Sequence, residues 1–337
     1  MRSLVLGGSA FVGRRLVEHL VAASHEVTVL NRGRSPSDLP PEVGRLTADR
    51  TDQASMVAAL AGSEWDAVFD VSGFVMAAGG GDMDHLVDLL AGRVGHHVYV
   101  SSVMAYDQRL PGVAPWTEDM PTSDEGPSGY GGFKALAEAT LLARHANDGF
   151  PVTIVRPAAI YGPCNNIYDM ETPMFLRLLE RRPVLIPHSG LVTGSYGHVD
   201  DLCSAMAVMV GREAALGEIY NVTAEAVTTA RYVEVLAGIV GVEADVVLVP
   251  DAMLLDLATP VFGHLFGHRH HAVLSNAKAR HQLGIEPSHD LRTGHEQTYE
   301  WFRQQGWSGR GADPLVDPVW RATWDFDAEA EIAGRLR

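Results

Sequence analysis

The sequence predicts an α/β protein built on a doubly wound parallel sheet, and three observations carry that expectation. Short, nearly continuous apolar runs rich in β-branched residues alternate with helical periods through the first half of the chain, the pattern of strands covered on both faces. The first of these runs opens into a glycine-rich turn, LVLGGSAFVGRRLV (Leu4–Val17). A chain of 337 residues, 46% hydrophobic and 20% charged, has ample material for one large core.

Taken in order, Ser3–Leu6, Glu26–Leu30, Arg45–Thr47, Ala67–Asp70, His97–Val100 and Val152–Val155 read as strands. Helical spacing falls between them at Phe11–Ala23, Gln53–Leu60, Met83–Leu90 and Tyr130–Ala146. After Pro163 the alternation loosens. Glu171–Arg182 reads as a helix, PVLIP as a strand, Asp200–Val210 as a helix, GEIYNV as a strand and Thr229–Val240 as a helix. Asp251–His271 is irregular and rich in His and Gly. Asn276–Leu283 and Leu291–Gln305 close as helices, and the segment after Gly306 reads as a surface wrap. There are no repeats and no low-complexity linker, so the second half is expected to pack on the sheet as a smaller lobe.

Composition disfavours several classes of partner. The net charge is −16, with 42 acidic residues against 26 basic, and such a surface repels nucleic-acid phosphates and anionic lipid. The two cysteines, Cys164 and Cys203, exclude a disulfide framework. No apolar run reaches the roughly 18 residues of a membrane span. The N-terminal apolar run is broken by glycines and lacks a small-residue cleavage site. The expected location is the cytoplasm.

The turn after the first strand carries the first chemical signal. Gly7 suits a tight turn, and Gly13 suits close packing of helix on sheet. The N–H groups at the helix start, from Ser9 through Phe11 and Val12, then face a pyrophosphate. Ala10 stands where such turns carry a middle glycine; it is the smallest residue that still has a Cβ. A tight βα turn without ligand is the alternative, and the placement between first strand and first helix favours a dinucleotide. The second strand ends in Asn31, Arg32, Gly33, Arg34. No carboxylate stands there to take a ribose 2′-hydroxyl, and the arginines suit a 2′-phosphate, which favours NADP over NAD. Two solvated loop arginines are the other reading. Asp49, ending the third strand, suits an adenine amino group or, equally, a helix cap ahead of Gln53.

The second signal is SSVMAY followed by SGYGGFKALAEATL. Tyr130 and Lys134 lie one helical turn apart and point the same way. A lysine charge there can lower the tyrosine pKa. Ser102, at the carboxyl end of a strand, can hold a substrate oxygen while Tyr130 moves its proton.

With GGSAFVG, SSVMAY, Tyr130-x-x-x-Lys134, VRPAAIYGP (Val155–Pro163), HVDDL (His198–Leu202) and GEIYNV (Gly217–Val222), the chain resembles the extended short-chain dehydrogenase/reductase family. That family contains nucleotide-sugar epimerases and dehydratases. GGSAFVGRRLVEHL…HEVTVLNRGR and DVSGF are similar to an atypical branch that includes the chloroplast stem-loop-binding-protein type. The resemblance implies a Rossmann-type dinucleotide domain over 1–165 plus about 195–222, a substrate-binding lobe over 166–194 and 223–320, and a C-terminal tail over 321–337. It implies Ser102 as the group polarising the reacting oxygen, Tyr130 as general acid/base and Lys134 as ribose holder. Pro157 and Ala158 would line the nicotinamide. Arg50, Val71, Ser72, Gly73 and Ser101 would also touch the cofactor, and Phe74, Met104, Cys164, Asn165 and Tyr196 the substrate. A homodimer through Met83–Leu90 and Tyr130–Ala146 is a family-level implication only.

Three departures bear on the substrate. Ala10 replaces a glycine. Met104 stands where sugar-nucleotide epimerases often carry a small hydroxyl residue. Gly194 stands where they carry an arginine for the substrate diphosphate, and the second such region, GHLFGHRHHAV, offers only Arg269 among basic side chains other than histidine. Arginine is the residue suited to bidentate phosphate recognition, so a nucleoside or glycoside stands beside a nucleotide sugar. The spacing of His264, His268, His270 and His271 fits no zinc set, and no metal is expected. His188, His198 and His289 read as structural. Cys164 is a second acid/base group or simply packs.

The expected activity is an NAD(P)-dependent epimerase inverting a sugar-ring hydroxyl through a transient ketone. The alternatives are an NADP(H)-dependent reductase or dehydrogenase with net redox turnover, a dehydratase, disfavoured because no acidic residue lies close to Met104, and, remotely, a non-catalytic RNA-associated protein.

Overall fold

The computed structural model describes residues 1–34, 39–72, 81–109, 114–165, 170–254, 266, 270–306 and 326–337. In chain order the first half comprises β1 (Arg2–Leu6), α1 (Phe11–Ala22), β2 (Glu26–Asn31), β3 (Gly44–Thr47), α2 (Gln53–Leu60), β4 (Trp65–Asp70), α3 (Gly81–Leu90), β5 (Val94–Val100), α4 (Tyr130–Asp148) and β6 (Val152–Pro157). The second half comprises β7 (Ala159–Tyr161), α5 (Glu171–Leu179), β8 (Pro183–Pro187), β9 (Thr193–His198), α6 (Val199–Met209), β10 (Glu218–Val222), β11 (Glu225–Thr228), α7 (Thr229–Val240), β12 (Asp245–Val249), α8 (Asp251–Leu254), α9 (Ala277–Leu283), α10 (Leu291–Gln304) and α11 (Phe326–Leu336).

Seven parallel strands form the central sheet in the order β10-β6-β5-β4-β1-β2-β3. The strand order reverses beside β1, so the carboxyl ends of β1, β2 and β4 open onto one crevice, where such sheets bind ligands. α1, α6 and α9 bury one face through Val5, Leu16, Leu20, Phe69, Val98 and Leu202. α2, α3 and α4 bury the other through Leu4, Leu6, Val68, Leu86, Ala137 and Leu141. All six residues of β6 are buried, which is why that run carries no polar alternation. α4 stops at Gly149, whose φ of 70° a glycine adopts without a Cβ penalty.

The smaller lobe has its own core. Met174, Phe175, Leu178, Ile186, Tyr196, Tyr232, Leu236 and Phe302 pack together from α5, β8, β9, α7 and α10. Two small sheets frame it, β11-β9-β7 and β12-β8. β7, β9, β11 and β12 were not among the expected strands. β9 reads TGSYGH; it has no apolar period and exists because Ala159–Tyr161 and Glu225–Thr228 pair with its two edges. The expected helix Glu171–Arg182 ends at Leu179, followed by Arg181 at a φ of 53°. The C-terminal segment also differs from a wrap. α11 buries Ile332 and Ala333 against Leu185, Val247 and Val249, and Glu329 forms a buried ion pair with Arg177. Among the described residues no helix is long and apolar enough to cross a membrane.

Candidate active site

The glycine turn joins β1 to α1 with close backbone approaches. Gly7 has a φ of +93°, and a Cβ on it would lie 2.9 Å from the Cβ of Ser72. A Cβ on Gly13 would lie 2.2 Å from the Gly7 carbonyl oxygen, so α1 can meet the strand only through glycine there. Ala10 is the N-cap of α1 at φ −144° and ψ 154°, ordinary extended backbone, and it is exposed. Alanine therefore costs the turn nothing in conformation. The strained residue is its neighbour Phe11, at φ 36°, whose ring is 6% exposed. Burial of that ring offsets a backbone cost of about 1–3 kcal/mol, and the α1 N–H groups stay aimed out of the helix. The turn that Gly7 and Gly13 allow, with the N–H groups of the α1 start, fits a dinucleotide pyrophosphate.

At the end of β2 the Asn31 side chain accepts a hydrogen bond from Gly33 N at 2.8 Å, which turns Arg32 and Arg34 outward into solvent. Arg34 reaches Asp49 at 3.9 Å. Asp49 itself is held by Thr51, whose hydrogen bonds keep its carboxyl below the usual range. The cap of α2 is Asp52, which accepts from Ser55 N. Asp49 is thus not the helix cap that was one of its two readings.

β4 ends in Asp70, followed by Val71, whose N–H donates to Leu6 O at 3.1 Å, and by Ser72. Gly73 and Phe74 lie outside the described residues, as do His264, His268 and Arg269. Arg50 is buried, and its guanidinium donates to Asp70 at 2.7 Å, Asp82 at 2.9 Å and Ser72 at 2.9 Å. Its charge is committed to the protein interior.

The constellation at β5 and α4 is assembled as follows. Ser102 accepts from Met104 N at 3.1 Å and opens a short 3₁₀ turn, Val103–Ala105. Its hydroxyl hydrogen-bonds the Tyr130 phenol. Two glycines let the start of α4 pack closely on the segments before it. A Cβ on Gly131 would lie 2.2 Å from Met104 O, and one on Gly132 would lie 2.1 Å from Gly126 O. At Gly131 the first turn of α4 consequently sits directly on the Ser102 turn, and at Gly132 on the turn at Gly126. Burial pushes the Tyr130 phenol up to about 12, and the Ser102 hydrogen bond opposes it. Lys134 donates to Val100 O at 2.6 Å and lies 5.8 Å from the Tyr130 ring centroid. Burial pulls its ammonium down to about 7, so it discharges well before the phenol ionises. The group that opposes burial at Tyr130 in this structure is the Ser102 hydroxyl.

Glu138, one further turn along the same helix face, anchors this arrangement. It accepts from Ser101 and from Arg156 at 2.6 and 3.0 Å. Arg156 stacks over Tyr106 at 4.4 Å, and Tyr106 donates to Asn221 at 2.7 Å. Ser101 thus faces into the core. Sequence reading passed over Glu138, Arg156 and Asp70. The available signals were a charged residue ending two otherwise apolar strands, VFD and TIVRP, and an acid at i+4 from Lys134.

On the lobe side, Pro157 ends β6 and the Ala158 N–H donates to Val222 O at 3.0 Å. Met104 and Cys164 are partly exposed, and Cys164 has a φ of 66° and lies near Arg15 of α1. Asn165 is buried, with its amide donating to Glu171 at 2.9 Å. Tyr196 is buried with its ring 5.0 Å from Tyr232. Both are turned into the lobe core. Gly194 lies in β9 opposite Val227, so this strand presents no guanidinium at that position. His198, Asp200 and His289 bring ligand-type atoms within 4.8 Å of one another, but Asp200 is held by Arg15 at 2.8 Å and His289 by Asp201 at 3.0 Å.

The profile of the NAD dependent epimerase/dehydratase family matches residues 3–223. The chain belongs to that family. It is 27% identical to the chloroplast stem-loop binding protein of 41 kDa b of Arabidopsis thaliana over 94% of this chain and 83% of the relative. It is 28% identical to a dTDP-glucose 4,6-dehydratase of Streptomyces antibioticus over 94% and 98% of the two chains. The fold is similar to the UDP-glucose 4-epimerase of Thermotoga maritima solved with UDP-glucose, with a TM-score of 0.76, 22% identity, and coverage of 91% and 100%.

Proposed function

We propose that the protein is an NAD(P)-dependent epimerase that inverts a hydroxyl on the sugar ring of a nucleoside-, nucleotide-sugar- or glycoside-type substrate. The observation that carries this reading is the hydrogen-bonded Ser102–Tyr130 pair beside Lys134, at the carboxyl end of the sheet that also carries the glycine cradle. When bound, the nicotinamide supplies reversible hydride transfer, which makes a transient ketone from a ring hydroxyl accessible. Ser102 holds the reacting oxygen. Tyr130 accepts its proton as the ketone forms and returns it as the alcohol re-forms. Tyr130 must be ionised to accept that proton, so burial of the phenol opposes the first role and the Ser102 hydrogen bond favours it. Lys134 holds the ribose. Met104 offers the sugar an apolar contact, and no carboxylate stands at that position to serve as a dehydratase acid.

Arg32 and Arg34, both exposed at the end of β2, favour NADP over NAD. The same arginines support a second reading, a reductase consuming NADPH. Mass spectrometry of the supernatant from denatured protein identifies the dinucleotide that co-purifies. A panel of UDP- and dTDP-sugars, free nucleosides and glycosides then separates the readings. Epimer formation with no net change in absorbance at 340 nm supports the epimerase. Stoichiometric NADPH loss replaces it with the reductase. Absence of any dinucleotide, bound or bindable, refutes both.

A further inference from the structure

We propose that Asp70 is a positioning residue for Lys134: its buried carboxylate keeps a substantial share of that side chain protonated in a pocket otherwise too dry to hold an ammonium ion. The proposal rests on the role given to Lys134 above. Asp70 closes β4 and is fully buried. Its Oδ1 accepts from Arg50 at 2.7 Å and from the Ser72 hydroxyl at 3.0 Å, whereas its Oδ2 has no partner among the described residues. In the β4–β5 register Asp70 stands opposite Tyr99. The Lys134 ammonium lies 4.8 Å from the centroid of that same Tyr99 ring and on Val100 O. Carboxylate and ammonium are thus neighbours of one side chain, with no water-accessible surface on either partner beyond the 3% left to Lys134.

The surrounding charges fix the sign. Around Lys134 stand Asp70 from β4, Arg50 from the segment after β3, Tyr99 from β5, and Tyr130 and Glu138 from its own helix, with His97 of β5 beside Asp70. Asp82 stands behind Arg50, and Arg156 behind Glu138. Three carboxylates meet two guanidiniums in this cluster. The excess negative charge is neutralised when Lys134 is protonated, and an uncompensated buried charge is what folded proteins avoid. Burial pulls the Lys134 ammonium downward, and Asp70 is the largest contribution holding it up, ahead of Glu138. Without the Asp70 charge, Lys134 would be a neutral amine at physiological pH, less able to hold a ribose hydroxyl oxygen.

The composition provides a direct test. Of 26 basic residues only Lys134 and Lys278 are lysines. Protein grown on [ε-13C]lysine therefore gives two side-chain carbon signals, and Lys278, paired with Glu218 at 2.6 Å, is the internal control. In the full chain the Lys134 signal is expected to titrate near 7. Asp70→Asn should lower that midpoint by about one unit or more, a tenfold change in acidity. Asp70→Glu, which keeps the charge, should bring it back towards the wild type. An Asp70→Asn midpoint within a few tenths of the wild type, with the Lys278 signal native, overturns the proposal. If Asp70→Asn fails to fold, the wild type decides alone: a Lys134 midpoint below about 6 means no carboxylate compensates its burial. Binding of NADPH or NADH is followed separately by fluorescence. Its absence from the wild type removes the functional reading and leaves the lysine titration interpretable.

Discussion

Acidification from pH 7 to pH 5 should destabilise this protein far more than its carboxylates can explain, because four histidines are buried uncharged. Burial holds His96, His97 and His198 at about 4 and His295 at about 3. Each folded-state value lies below the 6.5 of an unfolded histidine, so the unfolded chain binds protons first. The stability each contributes is present above 6.5 and is lost as the pH falls towards 4. Integrating the proton linkage between pH 7 and pH 5 gives about 2 kcal/mol per histidine, on the order of 7 kcal/mol for the four. A domain of this kind has roughly 5–15 kcal/mol in total. Asp70 and Asp201, also held low, begin to matter only as the pH nears 4. The assay is urea unfolding followed by tryptophan fluorescence at the two pH values. His97 isolates one term, because neither ring nitrogen has a partner among the described residues and its ring packs edge-on to Phe150 at 5.5 Å. His97→Phe keeps the ring and removes the proton site, so its advantage over wild type should grow by about 2 kcal/mol between pH 7 and pH 5. Equal wild-type stability at both pH values, or a pH-independent effect of His97→Phe, refutes the reasoning.

Other outcomes follow from particular contacts. Gly13→Ala drives a Cβ into the Gly7 carbonyl, so it should cost about 2 kcal/mol or more in thermal unfolding and weaken dinucleotide binding at least tenfold. Ala10→Gly should leave binding unchanged or tighter, whereas Ala10→Leu should weaken it; unchanged affinity in Ala10→Leu puts the pyrophosphate elsewhere. Arg32→Ser and Arg34→Ser should each reduce NADP affinity about tenfold with little effect on NAD, and parallel losses for both dinucleotides contradict the 2′-phosphate assignment. Arg177→Met strands Glu329 in the core and should cost about 3–5 kcal/mol, most of it regained in Arg177→Met/Glu329→Leu. A double variant as unstable as the single one would show that the pair acts through more than its charges.

The central sheet was legible because each strand carries its own signal. β1, β2, β4 and β6 are apolar runs between clear helical periods, and their local preference agrees with their final environment. In the lobe β8 was legible as PVLIP, whereas β9 and β11 were not, because they are short, polar and Gly- or Thr-containing, and are made by their partners. In the candidate site, Ser102, Tyr130 and Lys134 announced themselves by spacing. The groups that hold them did not. Glu138, Arg156, Arg50 and Asp70 act through contacts between residues far apart in sequence, as in Arg177–Glu329 at the other end of the molecule. A helix period reveals which residues share a face, and not which charge waits opposite.

The placement of β10 has a consequence for how the chain is made. β6 ends at Pro157, and its outer edge stays open until β10 pairs Glu218 with Thr153. Between those two strands the ribosome must deliver β7, α5, β8, β9 and α6. During that interval a strand destined for burial on both faces presents unpaired backbone groups, an arrangement prone to pairing with another chain. Arg156, near the end of that strand and paired in the finished fold with Glu138 of α4, places a charge in the exposed run before the sheet is complete. The residue that braces the finished site thus also serves as a gatekeeper for the nascent one.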